Sequence, residues 1–465
     1  MNIVFNEPDI HVSSLIEVAD LFRSCSEKDI SEEEIEIKTK QTNDGWESMA
    51  FSEGCCLCRV TADTKAYSAK LCVYELLKEK TGHAPAWGSL TGVKPLKLMV
   101  KLFEQKKSRE YAYDFFKRNF AISDEKLSLL FDCAQNQLSL LYPAENTYSL
   151  YIHVPLCLSK CSYCSFPSAV TSEGSDLCEE YLNALIKELR AVTSLFPRQT
   201  ADCVYVGGGT PSVFSSDQTR KLLAEINSFC PNAKEITYEA GRADTLSEDK
   251  LSAFKEGGVT RISLNPQTSK DETLCAINRK VSYADFLRCF ELARKTGHSN
   301  INCDLIFGLE GEDRADFFRS LEQITELSPE SITLHTLCKK RTSDIDAQTH
   351  DKRSEPIALY MNEAGSVLKD NGYIPYYLYR QKHALDNAEN VGYAKAGNEC
   401  VYNVRMMGER QSVLSAGAAS TSKIYFPKED RFENVYNIKN IRLYIDNIDS
   451  VIEKKLNAIK KLTGQ

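Results

Sequence analysis

Between residues 147 and 337 the chain alternates two hydrophobic periods. Compact runs rich in Val, Ile, Leu and Tyr stand at SLYIHV (149–154), CVYVGGG (203–209), EITYEAG (235–241), TRISLN (260–265), NINCDLIFGL (300–309) and SITLHTL (331–337). Stretches with apolar positions three and four apart lie between them, among them LCEEYLNALIKELRAV, SEDKLSAFKEGG and YADFLRCFELARKTG. The first pattern predicts buried strands, the second amphipathic helices that cover them. Alternation of the two implies a parallel sheet joined by right-handed crossovers. Six such units predict an α/β fold, a partial (β/α)6 barrel, in which functional groups gather where strands end and loops begin.

The flanks read differently. Residues 1–142 predict an N-terminal mixed α/β domain: strands over Glu33 to Lys38 and Cys55 to Thr61, a helix over Ala66 to Thr81, the loop HAPAWGSLTGVKP, then further helices through Tyr142. The barrel-like core is expected over 143–375, with a helix from Pro356 to Asn371 after the periodicity weakens near residue 350. A smaller C-terminal region, 376–465, takes in most of the Tyr-rich run PYYLYRQKH, strand-like and Gly-rich material to Lys423, and a terminal amphipathic helix. Ile441, Ile445, Ile448, Ile452, Ile459 and Leu462 share one face of that helix. Mixed charges on its other face predict docking on the protein rather than on a membrane.

Composition narrows the class. Among 465 residues, 57 Lys and Arg against 65 Asp and Glu give a net charge of −8, which argues against a nucleic-acid surface or a basic membrane anchor. With 42% hydrophobic and 26% charged residues the chain can bury a sizeable core. It has no apolar run long enough to span a bilayer, and MNIVFNEPDIH lacks the basic flank and apolar block of a secretory signal. A cytoplasmic protein is expected. In a reducing compartment most of the 17 cysteines act as small buried hydrophobes, and a minority as metal ligands. Seven histidines and no HExxH make a histidine-rich zinc site a poor fit.

Two cysteine groups have ligand spacing. Cys157, Cys161 and Cys164 form a C-x3-C-x2-C triplet directly after the first strand of the series. Three thiolates on one short loop can wrap a single iron–sulfur cluster and leave one iron open to a small molecule. A structural zinc needs four ligands, and this loop offers no fourth at a matching distance. Cys55-Cys56-Leu57-Cys58 contains a C-x-x-C pair, readable as a redox pair or half a zinc site. Its place in a β-rich run, with Cys72 alone on a helix pattern, favours structural thiols.

Gly207-Gly208-Gly209-Thr210-Pro211 ends the second strand, where glycines let the backbone approach a ligand. It is not a phosphate loop, since no GxxxxGK[ST] occurs and GSLTGVKP has the wrong spacing. Glu239, Gln267 and Asp304 stand on or beside strands that should be apolar. A buried carboxylate without a partner costs several kcal/mol, of the order of ~2–7. Any one of them alone could pair with an arginine, with Arg242, Arg261 and Arg279 as candidates, but three together at strand ends favour a polar ligand.

The cysteine triplet, Tyr163 before its last member and the GGGTP strand end resemble the radical S-adenosylmethionine superfamily. SLYIHVPLCLSKCSYCSF, YVGGGTPS, RISLNPQT, INR and NINCDLIFGL resemble the oxygen-independent coproporphyrinogen III oxidase family. WGSLTGVKP and YYLYRQKHALDNAENVGYAKAG resemble its HemZ-like coproporphyrinogen dehydrogenase branch, so that the likeness covers residues 80–425. The resemblance implies that Cys157, Cys161 and Cys164 ligate a [4Fe–4S] cluster whose open iron binds S-adenosyl-L-methionine. It also implies that Gly207, Gly208, Gly209 and Thr210 face the methionine end and Tyr163 the adenine. By the same likeness Tyr151, Glu239, Gln267, Arg279 and Asp304 contact the cofactor.

The chemistry implied is removal of hydrogen from a propionate, which loses CO2 and an electron to become a vinyl group. Two such events convert coproporphyrinogen III to protoporphyrinogen IX. The implied partners are a tetrapyrrole, a low-potential electron donor and an electron acceptor. Four substrate carboxylates call for basic residues, with Arg242, Arg380 and Lys382 as candidates. Cys164 is followed by Ser-Phe rather than by the fourth cysteine of CxxxCxxCxC members. YAKAGNECVYN and SAGAASTS are similar to the related haem chaperones, which implies a rival expectation of haem delivery.

Overall fold

The computed structural model describes residues 2–5, 10–22, 34–338, 357–382 and 384–463. Glu33 and Pro356, the expected starts of a strand and a helix, lie outside them. The chain forms two compact units: Met1–Gln135 with Ser354–Glu363 and Leu378–Asn390, and Asn136–Arg353 with Ala364–Tyr377 and Val391–Gln465. Residues 376–465 thus divide between the two.

In the first unit β1 (Asn2–Val4), β2 (Glu34–Thr42), β3 (Gly45–Ser52) and β4 (Cys55–Ala62) lie side by side in chain order. Helices α1 (Val12–Asp20) and α2 (Lys65–Thr81) supply Leu15, Val18, Ala69 and Cys72 to a core shared with Ile35, Ile37 and Ala50 of the sheet. Thr64 starts α2 by accepting a hydrogen bond from Tyr67 N at 3.2 Å, and Gly82 ends it at φ 70°. Three further helices follow: α3 (Pro95–Glu104), α4 (Arg109–Phe120) and α5 (Asp124–Leu141). The WGSLTGVKP loop is pinned by charge. Trp87 Nε1 donates to Glu389 Oε2 at 2.7 Å, and Lys126 Nζ donates to Glu389 Oε1 at 2.5 Å.

The second unit is built on an eleven-stranded sheet. Strand β5 (Thr147–Val154) leads into two short paired strands, β6 (Leu156–Cys157) and β7 (Ala169–Val170). The remaining expected strands are β8 (Thr200–Gly208), β9 (Glu235–Gly241), β10 (Arg261–Leu264), β11 (Ile301–Phe307) and β12 (Ser331–Thr336). β5, β8, β9, β10, β11 and β12 pair in that order, all parallel, as the alternation predicts. Helices α6 (Asp176–Ser194), α7 (Ser216–Phe229), α8 (Glu248–Glu256), α9 (Asp271–Ala276), α10 (Tyr283–Lys295) and α11 (Arg314–Glu326) fill the connections. Ser215, Ser282 and Asp313 form reciprocal capping boxes at the starts of α7, α10 and α11.

The C-terminal part adds strands at both edges of this sheet. After α12 (Ile357–Asp370), β13 (Ile374–Arg380) and β14 (Glu389–Ala394) extend it beyond β12. After α13 (Val401–Gly408), β15 (Val413–Ala416) pairs in parallel with β5, and β16 (Thr421–Phe426) and β17 (Arg431–Tyr436) follow outward. The terminal helix is two pieces, α14 (Ile441–Asp446) and α15 (Ile448–Thr463), broken at Asn447. It docks on α6, burying Ile452 and Ile459, and Tyr444 and Lys455 with them. No helix among the described residues is long and apolar enough to cross a membrane.

Candidate functional site

Within the six parallel strands, or one residue past them, one polar residue keeps partial exposure while its neighbours are buried: Tyr151, Tyr205, Glu239, Asn265, Asp304 and His335. The register aligns them. Tyr151 pairs with Tyr205, Tyr205 with Thr237 two residues before Glu239, and Asp304 with Thr333 two residues before His335. Side chains two apart share a face, so these groups line the concave inner face of the sheet and leave an accessible polar cleft there.

The groups of the cleft hold one another. Tyr205 Oη donates to Glu239 Oε1 at 2.6 Å, and Gly208 N–H donates to Oε2 at 3.2 Å. Burial, with the nearby Asp304 carboxylate, pushes Glu239 up to about 7 despite those bonds. Asn302 Nδ2 donates to Asp304 Oδ1 at 2.7 Å, and His335 Nε2 lies 3.6 Å from Oδ2. Burial acts to raise Asp304, but His335, Asn302 and Thr333 outweigh it and hold its carboxyl below the ordinary range. Tyr205 stacks on Tyr402 at 4.7 Å, and Tyr151 faces the same ring at 6.0 Å. Burial and Glu239 raise the Tyr151 phenol, so it stays protonated.

The proposed arginine partners are engaged elsewhere. Arg242 pairs with Asp244 at 2.6 Å and donates to Ser159 Oγ at 2.8 Å. Arg261 donates to Asn398 O at 3.0 Å. Arg279 donates to Gly241 O at 2.8 Å and to Tyr163 Oη at 3.4 Å. The alternative of an arginine salt bridge is therefore not the one found: tyrosine, asparagine, histidine and backbone N–H groups satisfy the two carboxylates. The candidate substrate-facing cations have partners of their own in the structure. Arg242 braces the cysteine loop. Arg380, in the first unit, sits over the Trp87 ring at 5.1 Å, donates to Asn387 O at 3.1 Å, and is lowered by burial to about 10. Lys382 pairs with Glu17 at 2.6 Å in that same unit.

Gln267 is the strained member. Its backbone has φ 70°, in the left-handed region that a non-glycine residue rarely adopts. Gln267 N–H donates to Asp304 O, and its carbonyl accepts from Ile306 N, both at 3.0 Å. Its side-chain Oε1 is buried without a hydrogen-bond partner. A strained backbone presenting an unsatisfied acceptor fits a ligand that brings its own donor.

The cysteine loop is tied to the strand ends by backbone. Gly209 N–H donates to Val154 O at 2.9 Å and Thr210 N–H to Leu156 O at 2.7 Å. Ser162 N–H donates to Ile277 O at 3.1 Å, and Asn278 Nδ2 to Lys160 O at 2.8 Å, so the Ile277-Asn278-Arg279 turn closes the other side. Cys157 and Cys161 are buried and Cys164 is half-buried. Cys157 Sγ lies 3.5 Å from Thr210 Oγ1. Burial raises Cys157 and Cys164, and the mutual influence of the three thiols adds to the rise. A cationic iron bound here would reverse that preference and favour the thiolates.

Glycine is required where the GGG turn meets this loop. Gly208 has φ 128°, and a Cβ on Gly209 would fall 2.6 Å from Leu156 O and 2.8 Å from Cys157 Sγ. Gly209→Ala is therefore expected to displace Cys157 and cut bound iron by at least about tenfold while far-ultraviolet circular dichroism stays native. Full iron loading of the variant would show that the close approach is unimportant.

The structure brings the predicted Tyr151, Tyr163, Gly207–Thr210, Glu239, Gln267, Arg279 and Asp304 together with the three cysteines at one end of the sheet. Sequence reasoning missed Tyr205, Asn265, His335 and Tyr402. His335 interrupts SITLHTL as Glu239 interrupts EITYEAG, so the same signal was available for it.

The radical SAM superfamily family model matches residues 151–324. The oxygen-independent coproporphyrinogen-III oxidase-like protein HemZ of Bacillus subtilis is 34% identical over 398 residues, 83% of this chain and 79% of the relative. The heme chaperone HemW of the same organism is 29% identical over 57% of this chain and 68% of its own. The solved coproporphyrinogen III oxidase HemN of Escherichia coli shares the fold, at TM-score 0.51 and 22% identity over 69% of this chain and 73% of that one. The donor set found here, three loop cysteines beside a glycine cradle and an orphaned amide oxygen, fits the cluster and nucleotide of the superfamily. The chain belongs to the radical SAM superfamily, within the oxygen-independent coproporphyrinogen III oxidase-like family, and its cofactors are a [4Fe–4S] cluster and S-adenosylmethionine.

Proposed function

We propose that this protein oxidatively decarboxylates two propionates of coproporphyrinogen III without oxygen, giving protoporphyrinogen IX. The observation that carries the reading is the 34% identity to the oxidase-like HemZ, sustained over 83% of the chain, where likeness to a HemW chaperone covers 57%. The polar cleft beside the cysteine loop supports it.

In this reading Cys157, Cys161 and Cys164 would hold the cluster, and the backbone of Gly207–Thr210 would receive the methionine part of the nucleotide. Tyr163, held by Arg279, would receive the adenine. Tyr151, Glu239, Gln267, Arg279 and Asp304 surround the rest. When bound, the cluster and nucleotide would supply one-electron cleavage of the sulfonium and hydrogen abstraction from the propionate. Tyr205 and Gly208 fix the Glu239 carboxyl, and Asn302 and His335 fix Asp304, so both acceptors are oriented before the nucleotide arrives.

A pH dependence follows from Glu239. Its carboxyl, raised to about 7, is protonated below that pH, and the net positive charge of the incoming nucleotide favours the ionised form. Binding therefore releases a proton, and affinity for S-adenosylmethionine should rise about tenfold from pH 6 to pH 8 and flatten above. Glu239→Gln should remove the slope. Equilibrium dialysis of the reconstituted protein measures both, and a wild-type affinity independent of pH would contradict the assignment.

The second reading, a haem chaperone, draws on the similarity to HemW and on Ser165-Phe166 after the triplet. Anaerobic incubation of reconstituted protein with S-adenosylmethionine, a low-potential reductant and coproporphyrinogen III separates the two. Vinyl products detected by mass spectrometry support decarboxylation. Stable stoichiometric haem binding without them would overturn it.

A further inference from the structure

The first unit holds a thiol pair that the cofactor site does not use. Strand β4 is an edge of its sheet, and its pairing with β3 slips between Ala50 and Phe51, so that Ala50 faces Cys58 while Phe51 faces Cys56. The slip leaves Leu57 as an extra residue, a β-bulge. Two consequences follow for the cysteines. Cys55 and Cys56 remain exposed at the edge, whereas Leu57 and Cys58 both turn inward and pack on the core between sheet and α2. That core contains Cys72, fully buried on α2. Cys58 keeps partial solvent access, so one thiol of the pair can be reached from outside and the other cannot.

Cys58 packs on the core that holds Cys72 because β4 lies against α2. The influence of Cys72 lowers the Cys58 thiol below its ordinary value, while Cys58 and burial raise Cys72 and hold it protonated. A reachable thiol biased toward thiolate, backed by a buried protonated one, is the arrangement in which a first sulfur attacks and a second resolves. The sequence gives Cys72 no visible partner, because only the packing of β4 on α2 brings it to Cys58.

We propose that Cys58 and Cys72 form a thiol–disulfide exchange site that reacts with low-molecular-weight disulfides and closes a bond between β4 and α2. In the first step the Cys58 thiolate attacks one sulfur of a disulfide R–S–S–R, forming Cys58–S–S–R and releasing RS⁻. In the second step Cys72 loses its proton to solvent and attacks the Cys58 sulfur, releasing the second RS⁻. Two protein thiols are oxidised by two electrons and one small disulfide is reduced to two thiols.

The test uses the full-length protein with its cluster reconstituted, kept anaerobic so that cluster damage by oxygen does not intervene. Incubation with oxidised glutathione, blocking with N-ethylmaleimide and trypsin digestion should yield a cross-link between the peptides Gln41–Arg59 and Leu71–Lys78. Because the first peptide carries three cysteines, the Cys55→Ser/Cys56→Ser variant is treated in parallel and should give the same cross-link. Intact mass should fall by about 2 Da, the two hydrogens lost. Cys58→Ser should abolish the cross-link, and Cys72→Ser should stop the reaction at a glutathione adduct on Cys58. A cross-link absent from wild type, or lost in the Cys55→Ser/Cys56→Ser variant, would overturn the assignment. So would a cross-link that survives in Cys58→Ser.

Discussion

Cys161→Ser, purified without oxygen and supplied with iron and sulfide, should bind less than about a tenth of the wild-type iron, lack the brown charge-transfer absorption and lose at least about a thousandfold in cleavage of S-adenosylmethionine. A serine hydroxyl is a harder donor that does not ionise near neutral pH, so it does not replace a thiolate on iron. Folding should survive. The loop that carries Cys161 is held by hydrogen bonds of its own: Ser162 N–H to Ile277 O, Asn278 Nδ2 to Lys160 O and Arg242 to Ser159. Circular dichroism and the unfolding midpoint without iron should therefore match wild type. Cys289→Ala supplies the contrast, since Cys289 is buried on α10 outside the loop and its loss should leave iron binding intact. Full cluster assembly in Cys161→Ser, or equal iron loss in Cys289→Ala, would remove the basis for assigning the triplet.

The six core strands were legible because each is a short apolar run between amphipathic stretches, and parallel pairing follows from that alternation. EITYEAG becomes β9 residue for residue. Glu239 and Asp304 were legible as polar breaks in such runs. Tyr205 was not, because tyrosine is an ordinary strand former and only the sheet register shows that it faces the cleft. The site of β15 was also hidden. Four residues, Val413–Ala416, carry no local sign that they pair with a strand more than 250 positions earlier. Long-range electrostatics stayed invisible for the same reason: Glu188 and Lys455 look like surface charges of amphipathic helices, yet both are buried. The arginine partners failed on geometry. Arg242, Arg261 and Arg279 lie near the carboxylates in sequence, but backbone carbonyls and Asp244 take them up.

Glu188→Ala should cost about 3–5 kcal/mol, the range for breaking a buried pair by removing one partner, and lower the melting midpoint by roughly 5–8 °C in a unit of this size. Glu188 is fully buried on α6 and gathers the C-terminal segment around it. Its Oε1 accepts from Lys455 Nζ and Asn437 Nδ2, each at 2.8 Å. Its Oε2 accepts from Gly417 N at 2.8 Å and Tyr444 Oη at 2.6 Å. Truncation leaves the Lys455 ammonium buried with Ser415 O as its remaining acceptor among these contacts, so the penalty is chiefly that of an uncompensated charge. Glu188→Ala/Lys455→Met should recover more than half of the loss, because the stranded charge is gone. The damage should also reach the cofactor end. His153 Nδ1 donates to Ala418 O at 2.6 Å, and Tyr181 Oη donates to His153 O at 2.8 Å while accepting from Ala418 N at 2.9 Å. Loosening residues 415–418 therefore frees the end of β5 from which the cysteine loop departs. Limited proteolysis of Glu188→Ala should release the terminal helix first, with weakened retention of iron. A midpoint within about 1 °C of wild type would show that this buried carboxylate is not what fastens the C-terminal segment to the sheet.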